Sequence, residues 1–186
     1  MIKIFGFAGS LRQGSYNQAL LRAAQKLAPA DEAEIEVFDI GSFPLYNEDI
    51  EADDKRPPAV TEFKTRLRQS DAVLMVTPEY NYSFSGALKN AIDWGSRPYG
   101  DNSFDNKPVA IMGATSGSLG ASRAQYHLRQ TCVFLNLHPL NRPEVMVSLA
   151  RDKFQDGELV DEVTKEHVRK QLAALVVWTK QLRGSN

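Results

Sequence analysis

Gly9-Ser10-Leu11-Arg12-Gln13-Gly14-Ser15-Tyr16-Asn17 separates two stretches of different character. Before it, Ile2 to Phe7 is a mostly apolar run that reads as a buried strand. After it, Ala19, Leu20, Ala23, Ala24 and Leu27 recur at the three- and four-residue spacing of a helix. A strand, a turn rich in glycine and hydroxyls, and a helix together suit a phosphate. The helix start has free N–H groups and a partial positive charge, and glycine lets an anion approach the backbone. Two common phosphate loops are excluded by spacing. Gly9 and Gly14 stand where a Walker loop has its glycines, but Ser15 and Tyr16 follow where the lysine is needed, so nothing reaches the terminal phosphates of a nucleoside triphosphate. No start position supplies Gly-x-Gly-x-x-Gly either. Hydroxyls (Ser10, Ser15), one cation (Arg12) and an amide (Asn17) suit a single dianionic phosphate held by short hydrogen bonds without magnesium. A helix-capping role is the plain alternative for Ser15 or Asn17.

Working outward, Glu34-Ile35-Glu36-Val37-Phe38-Asp39 alternates charged and apolar residues, which places a strand at a sheet edge. Gly41 to Pro58 is a long polar connection, read as a surface loop able to act as a lid, its acids solvated. Val60, Phe63 and Leu67 carry a helix toward Ser70. Ala72-Val73-Leu74-Met75-Val76 is continuously apolar, the mark of a central parallel strand covered on both faces. Leu88, Ala91 and Ile92 set the next helix, and Pro98 to Asn106 is a second polar loop. Val109-Ala110-Ile111-Met112 is another buried strand, followed by a helix through Ala124, Leu128 and Thr131. Val133 to Leu137 reads as a shorter fifth strand, and Val160 to Leu182 as a final helix with Val168, Leu172, Leu175 and Leu182 on one face. This alternation predicts an α/β three-layer sandwich, a five-stranded parallel sheet of order 2-1-3-4-5 with helices on both sides, in the flavodoxin-like arrangement. With no repeat or linker, residues 1–186 read as a single domain.

In that order strands one, three and four are adjacent, and the loops at their carboxyl ends are the expected ligand position. The second, Pro78-Glu79-Tyr80-Asn81-Tyr82-Ser83-Phe84-Ser85, combines a rigid proline, two tyrosines, an amide and hydroxyls. It suits a planar aromatic ligand, whose faces need apolar contacts and whose heteroatoms need backbone partners. The third, Thr115-Ser116-Gly117-Ser118-Leu119-Gly120, opens a helix and so presents N–H groups with a positive field. A phosphate at one end and a polar-edged planar ring at the other describe FMN.

Composition narrows the class. A formal net charge of −1 without a local Lys/Arg cluster gives no footprint for nucleic acid. No apolar run reaches the ~18 residues of a membrane span, and the chain enters its first strand without a signal-peptide pattern. The one cysteine, Cys132, excludes an internal disulfide and fits a reducing cytoplasm. Its apolar neighbours Val133 and Phe134 suggest a buried, inert thiol. His127, His138 and His167 have no metal-site spacing, and no Gly-x-Ser-x-Gly elbow is present.

At Gly9–Asn17, at Pro78-Glu79-Tyr80-Asn81, and at Ser85-Gly86-Ala87-Leu88-Lys89-Asn90-Ala91-Ile92-Asp93-Trp94, the sequence resembles the NADPH-dependent FMN reductase family, which includes quinone, chromate and azo-dye reductases. The resemblance covers residues 1 to 150 and fades after Leu140. It implies that Ser10, Arg12, Ser15 and Asn17 hold the FMN phosphate, with Tyr16 beside them. Pro78, Glu79, Tyr80 and Asn81 would line the isoalloxazine ring, and Thr115, Ser116 and Gly117 would meet its other edge. It further implies NADPH or NADH as co-substrate, a small electron acceptor such as a quinone, and a homodimer or homotetramer. Flavin supplies the reactivity, so no catalytic side chain is expected and a ping-pong hydride transfer suffices. Arg97, Arg123 and Arg129 are candidate cations for a 2′-phosphate. The rival reading is a flavodoxin-type electron carrier, against which the near-neutral charge and Arg12 both count.

Overall fold

The computed structural model describes residues 1–184; Ser185 and Asn186, part of a C-terminal tripeptide without sequence signal, lie outside the described residues. The elements alternate as the apolar periods require: β1 (Ile2–Ala8), α1 (Tyr16–Leu27), β2 (Ala33–Phe38), α2 (Pro58–Gln69), β3 (Ala72–Val76), α3 (Gly86–Ser96), β4 (Pro108–Ala114) and α4 (Ser122–Phe134). Short strands β5 (His138–Pro139), β6 (Val145–Val147), β7 (Phe154–Gln155) and β8 (Glu158–Leu159) precede the long α5 (Glu162–Arg183). The sheet runs β2-β1-β3-β4-β5 and is parallel throughout, with Ile4 beside Ala72 and Val73 beside Val109 in register.

The continuous apolar strands are explained by the two-residue period. Ile4, Leu74, Val76, Ala110 and Met112 pack on one face with Leu20 and Leu21 of α1 and Val168, Leu172 and Leu175 of α5. Phe5, Phe7, Val73, Met75, Val109 and Ile111 pack on the other with residues of α2, α3 and α4. Both faces are therefore covered, as parallel sheets require. β2 keeps Ala33 and Ile35 buried and Glu34 and Glu36 exposed, as befits an edge.

Two expectations need correction. Val133 to Leu137 is not a strand: α4 continues through Phe134, pointing Cys132 inward and leaving Val133 81% and Phe134 73% exposed. A short apolar run does not separate a strand from the last turn of a helix. The fifth place is shared by β5, beside Pro108 and Val109, and β6, beside Met112 to Ala114. Two buried glutamines on opposite faces hold this broken strand. Gln125 of α4 donates to Val145 O (3.0 Å), and Gln171 of α5 donates to Pro143 O (2.8 Å) and Ile111 O (3.2 Å). The loop from 41 to 57 is not a free lid either. Asn90 Nδ2 and Trp94 Nε1 of α3 both donate to Pro44 O (2.8 and 2.9 Å), and Tyr46 N–H donates to Asn90 Oδ1 (2.7 Å), fastening the loop to α3.

Candidate functional site

The first loop is built around the start of α1. Ser15 caps the helix, its Oγ accepting from the N–H groups of Asn17 (3.2 Å) and Gln18 (3.3 Å). The capping alternative thus holds for Ser15, whose hydroxyl proton stays available. The Tyr16 N–H has no acceptor among the described residues. Asn17 is buried and paired at two points with the end of β4: Nδ2 donates to Ala114 O (3.0 Å), and Ala114 N–H donates to Oδ1 (2.9 Å). Its side chain ties α1 to β4 instead of turning its oxygen to a ligand. Arg12 is exposed, has no acidic partner among the described residues, and holds its guanidinium 5.7 Å from the centre of the Tyr16 ring.

The second loop packs against the first. Ser85 caps α3, accepting from Leu88 N–H (3.1 Å) while its hydroxyl donates to Gly9 O. A Cβ at Gly9 would lie 2.6 Å from Ser85 Oγ and 2.8 Å from Leu88 Cβ, so only glycine permits this approach. Tyr80 and Ser83 exchange backbone hydrogen bonds (2.9 and 3.0 Å) across Asn81 and Tyr82, both at positive φ. Two left-handed central residues make a tight hairpin turn. Asn tolerates that conformation; for Tyr82 it is unusual, and the Arg123 guanidinium lies 3.7 Å from the Tyr82 ring centre. Arg123 also pairs with Glu79, whose side chain is 5% exposed and whose Oε2 accepts from Ala124 N–H (3.4 Å) in the first turn of α4. The positive start of α4 is thus answered by Glu79. A protein carboxylate therefore takes up part of the field that the sequence directs toward a ligand.

The third loop is laced to the segment beyond the broken strand. Thr115 N–H donates to Val147 O (3.0 Å), Leu149 N–H to Gly117 O (2.9 Å), and Ala150 N–H to Thr115 O (3.0 Å). Gly120, at φ +57°, lies directly against the backbone of Met146 and Val147. The lacing delivers Arg151, on a 3-10 turn over Ala150–Asp152, to the same opening.

Between the three loops is a cleft of about 460 Å³. The first loop contributes Ser10, Arg12, Ser15, Tyr16 and Asn17; the second, Pro78, Glu79 and Tyr80; the third, Thr115 and Ser116. Gly117 borders an adjoining cavity of about 320 Å³ shared with Glu79, Thr115 and Arg123. Asn81 sits in the turn and borders neither. The sequence reading missed Ala114 and Arg151; the apolar triplet Val145-Met146-Val147, had it been read as a strand, would have put the residues after it at the sheet's ligand end. Of the candidate 2′-phosphate cations, Arg123 is taken by Glu79, Arg129 donates to Leu140 O (2.9 Å), and Arg97 stacks on Tyr99 (3.8 Å). Cys132 is buried, and burial pushes its thiol up to about 12. No group of residues able to hold a metal ion occurs among the described residues.

The sequence model of the family described as NADPH-dependent FMN reductase matches residues 2–152. The chain is 53% identical to an NAD(P)H-dependent FMN reductase of Pseudomonas aeruginosa, covering 98% of both chains. It is 43% identical to an NADPH:quinone oxidoreductase of Arabidopsis thaliana, over 99% of this chain and 95% of the relative. Among solved structures it is similar to FerB, a flavoenzyme NAD(P)H:(acceptor) oxidoreductase from Paracoccus denitrificans, with a TM-score of 0.88 at 37% identity, covering 97% of this chain and 98% of that one.

Proposed function

The chain belongs to the NADPH-dependent FMN reductase family, and we propose that its three-loop cleft holds FMN with the phosphate in the first loop and the ring system between the second and third. It is an NAD(P)H-dependent FMN oxidoreductase of the quinone reductase type, acting on small acceptors. The residues present suit the group. The cleft volume falls in the ~300–1,000 Å³ range of small-molecule sites. Arg12 without an acidic partner, the hydroxyls of Ser10 and Ser15, and the free Tyr16 N–H supply a cation and donors for a phosphate. The observation that carries the assignment is this unpaired cation beside the capped start of α1, at the mouth of adjacent strands β1, β3 and β4.

FMN, when bound, supplies hydride acceptance from the nicotinamide and redelivery to a second substrate. The chain binds and orients. Pro78, Glu79 and Tyr80 shape one wall, and Thr115 and Ser116 the other. Donor and acceptor would meet the bound flavin in turn, a ping-pong order that needs no second site; Arg12, Tyr80 and Arg151 at the cleft are exposed and leave it open to both. No side-chain acid or base is assigned, and the three histidines line none of the cavities described above.

The finer assignments rest on supporting observations. A homodimer or homotetramer is supported by Tyr126, Val133 and Phe134, all exposed on α4. A single domain is supported by α5, which lies beyond the family match yet packs in the same core as α1 and β4. Cytoplasmic residence is supported by a lone, buried cysteine and by the use of NAD(P)H; no helix of the described residues is long and apolar enough to cross a membrane.

The test is a visible spectrum of the purified protein, repeated anaerobically after adding NADPH. A flavin spectrum that bleaches within seconds is expected. Flavin that stays oxidised would favour the electron-carrier reading, and a protein that neither carries nor takes up FMN would overturn the assignment of the cleft.

A further inference from the structure

The first loop's own side chains under-compensate the phosphate that the proposed function places there. A phosphate monoester carries about −1.5 to −2 charges at neutral pH, and the loop offers one cation, Arg12. Its other polar groups are partly engaged: Ser15 Oγ accepts from two N–H groups, both ends of the Asn17 amide pair with Ala114, and Gln18 Nε2 donates to Ser10 O (2.9 Å). About one negative charge has no partner within the loop. A second arginine, Arg151, borders the same cleft, is exposed, and has no acidic partner among the described residues.

Arg151 is anchored on both sides. One residue before it, Ala150 N–H donates to Thr115 O (3.0 Å). Three residues after it, the Phe154 ring lies 5.3 Å from the Tyr16 ring, the same ring that Arg12 approaches from its own loop. The β7–β8 hairpin continues this attachment along α1: Arg22 Nη2 donates to Gly157 O (3.1 Å), and Lys26 pairs with Glu158 (2.7 Å). These contacts hold the segment that carries Arg151 against α1 and the third loop, and Arg151 lines the cleft between them. Two guanidiniums without acidic partners among the described residues border one cleft with Tyr16, whose N–H is free at the helix start, and an anion in that cleft can draw on both.

We propose that Arg151 is the second cation of the cofactor phosphate subsite, carried by the segment that packs on α1 and sharing the cleft with Arg12. The proposal rests on FMN occupying the cleft phosphate-first. It makes the segment after β6 part of the cofactor site, and it gives the hairpin a purpose that packing alone does not.

The experiment titrates the full-length protein, freed of flavin, with FMN and with riboflavin, which lacks the phosphate, following flavin fluorescence. The wild type is expected to hold FMN more tightly than riboflavin. Arg151→Ala should weaken FMN roughly tenfold, the scale of one charge-assisted hydrogen bond to an exposed group, and leave riboflavin unchanged. Arg151→Lys should recover part of the loss, because lysine restores charge without the two-point fork. The FMN affinity of Arg151→Ala should also depend less steeply on ionic strength. Because Arg151 is exposed, the variant should melt with the wild type. Unchanged FMN affinity, or an equal loss for both flavins, would remove Arg151 from the phosphate. A wild type that does not distinguish FMN from riboflavin would instead overturn the phosphate-first placement itself. Loss of the distinction in Arg12→Ala but not in Arg151→Ala would leave that placement standing and refute the role of Arg151 alone.

Discussion

Replacing Gly120 by alanine tests whether the third loop depends on its contact with the broken fifth strand. Gly120 has φ +57°, and a Cβ there would lie 2.5 Å from Met146 C, 2.6 Å from Met146 O and 2.9 Å from Val147 N. All three are backbone atoms, which cannot rotate aside as a side-chain end can. The left-handed conformation costs an alanine about 1–2 kcal/mol, and overpacking adds roughly 1–3 kcal/mol. The expected destabilisation is therefore about 2–5 kcal/mol, a large share of the ~5–15 kcal/mol that a domain has. At about 2–4 °C per kcal/mol for a chain of this size, the melting temperature should fall by roughly 4–20 °C. Relief requires β6 to move away from the third loop, and the bonds Thr115 N–H to Val147 O and Leu149 N–H to Gly117 O move with it. FMN affinity should fall too, because both Thr115 and Arg151 shift. Gly86→Ala is the control: a Cβ at Gly86 meets nothing within 4 Å, and its φ is not positive. Melting curves followed by circular dichroism, with an FMN titration of each variant, make the comparison. A Gly120→Ala protein that melts within a degree of Gly86→Ala and binds FMN equally well would refute the reasoning.

Two further outcomes follow from buried groups. Asn17→Ala leaves the Ala114 N–H and C=O unpaired inside the fold, at about 1–3 kcal/mol each, so its urea midpoint should drop clearly below that of the wild type; a midpoint within error of wild type would remove the tie between α1 and β4. The Cys132 thiol, pushed up to about 12 by burial, should resist a disulfide reagent from pH 7 to 9 and react promptly once guanidinium unfolds the chain. Because its folded value is raised, the stability from keeping this thiol neutral is present below pH 9 and is lost as pH rises toward 12; rapid native labelling at pH 8 would contradict the burial.

The strands and first helices were legible because period and composition act locally. Residues 72–76 and 109–112 are apolar throughout, and only a sheet covered on both faces tolerates that. The residues lining the cleft were legible because β1, β3 and β4 each end in a loop of unusual chemistry. Three things were hidden, each for its own physical reason. The end of α4 hid because Val133 and Phe134 are apolar but exposed, and periodicity cannot report a face turned to solvent. The Glu79–Arg123 pair hid because its partners are 44 residues apart in sequence and meet only through the fold. Arg151 hid because a 3-10 turn after a three-residue strand has no period at all. Local patterns reveal elements; long-range pairing decides which side chains those elements bring together.

That division has a consequence for how the cleft works. The three loops are joined to one another beneath the opening: Ser85 to Gly9 links the second to the first, and Asn17 to Ala114 links the first to the end of β4. Thr115 and Gly117 link the third to the segment that carries Arg151. Loops tied in this way are arranged before any ligand arrives, so less ordering entropy is lost on binding and more of the contact energy goes to affinity. The outer rim is different. Arg12, Tyr80, Tyr82, Leu119 and Arg151 are all exposed. A rigid floor with an exposed rim favours one cofactor held in one pose and places few demands on the shape of what meets it from outside. That matches a family whose members act on acceptors as different as flavins and quinones. Substitutions on the rim are therefore expected to alter acceptor preference without disturbing the ties below, which a comparison of quinone and flavin reduction by rim variants checks.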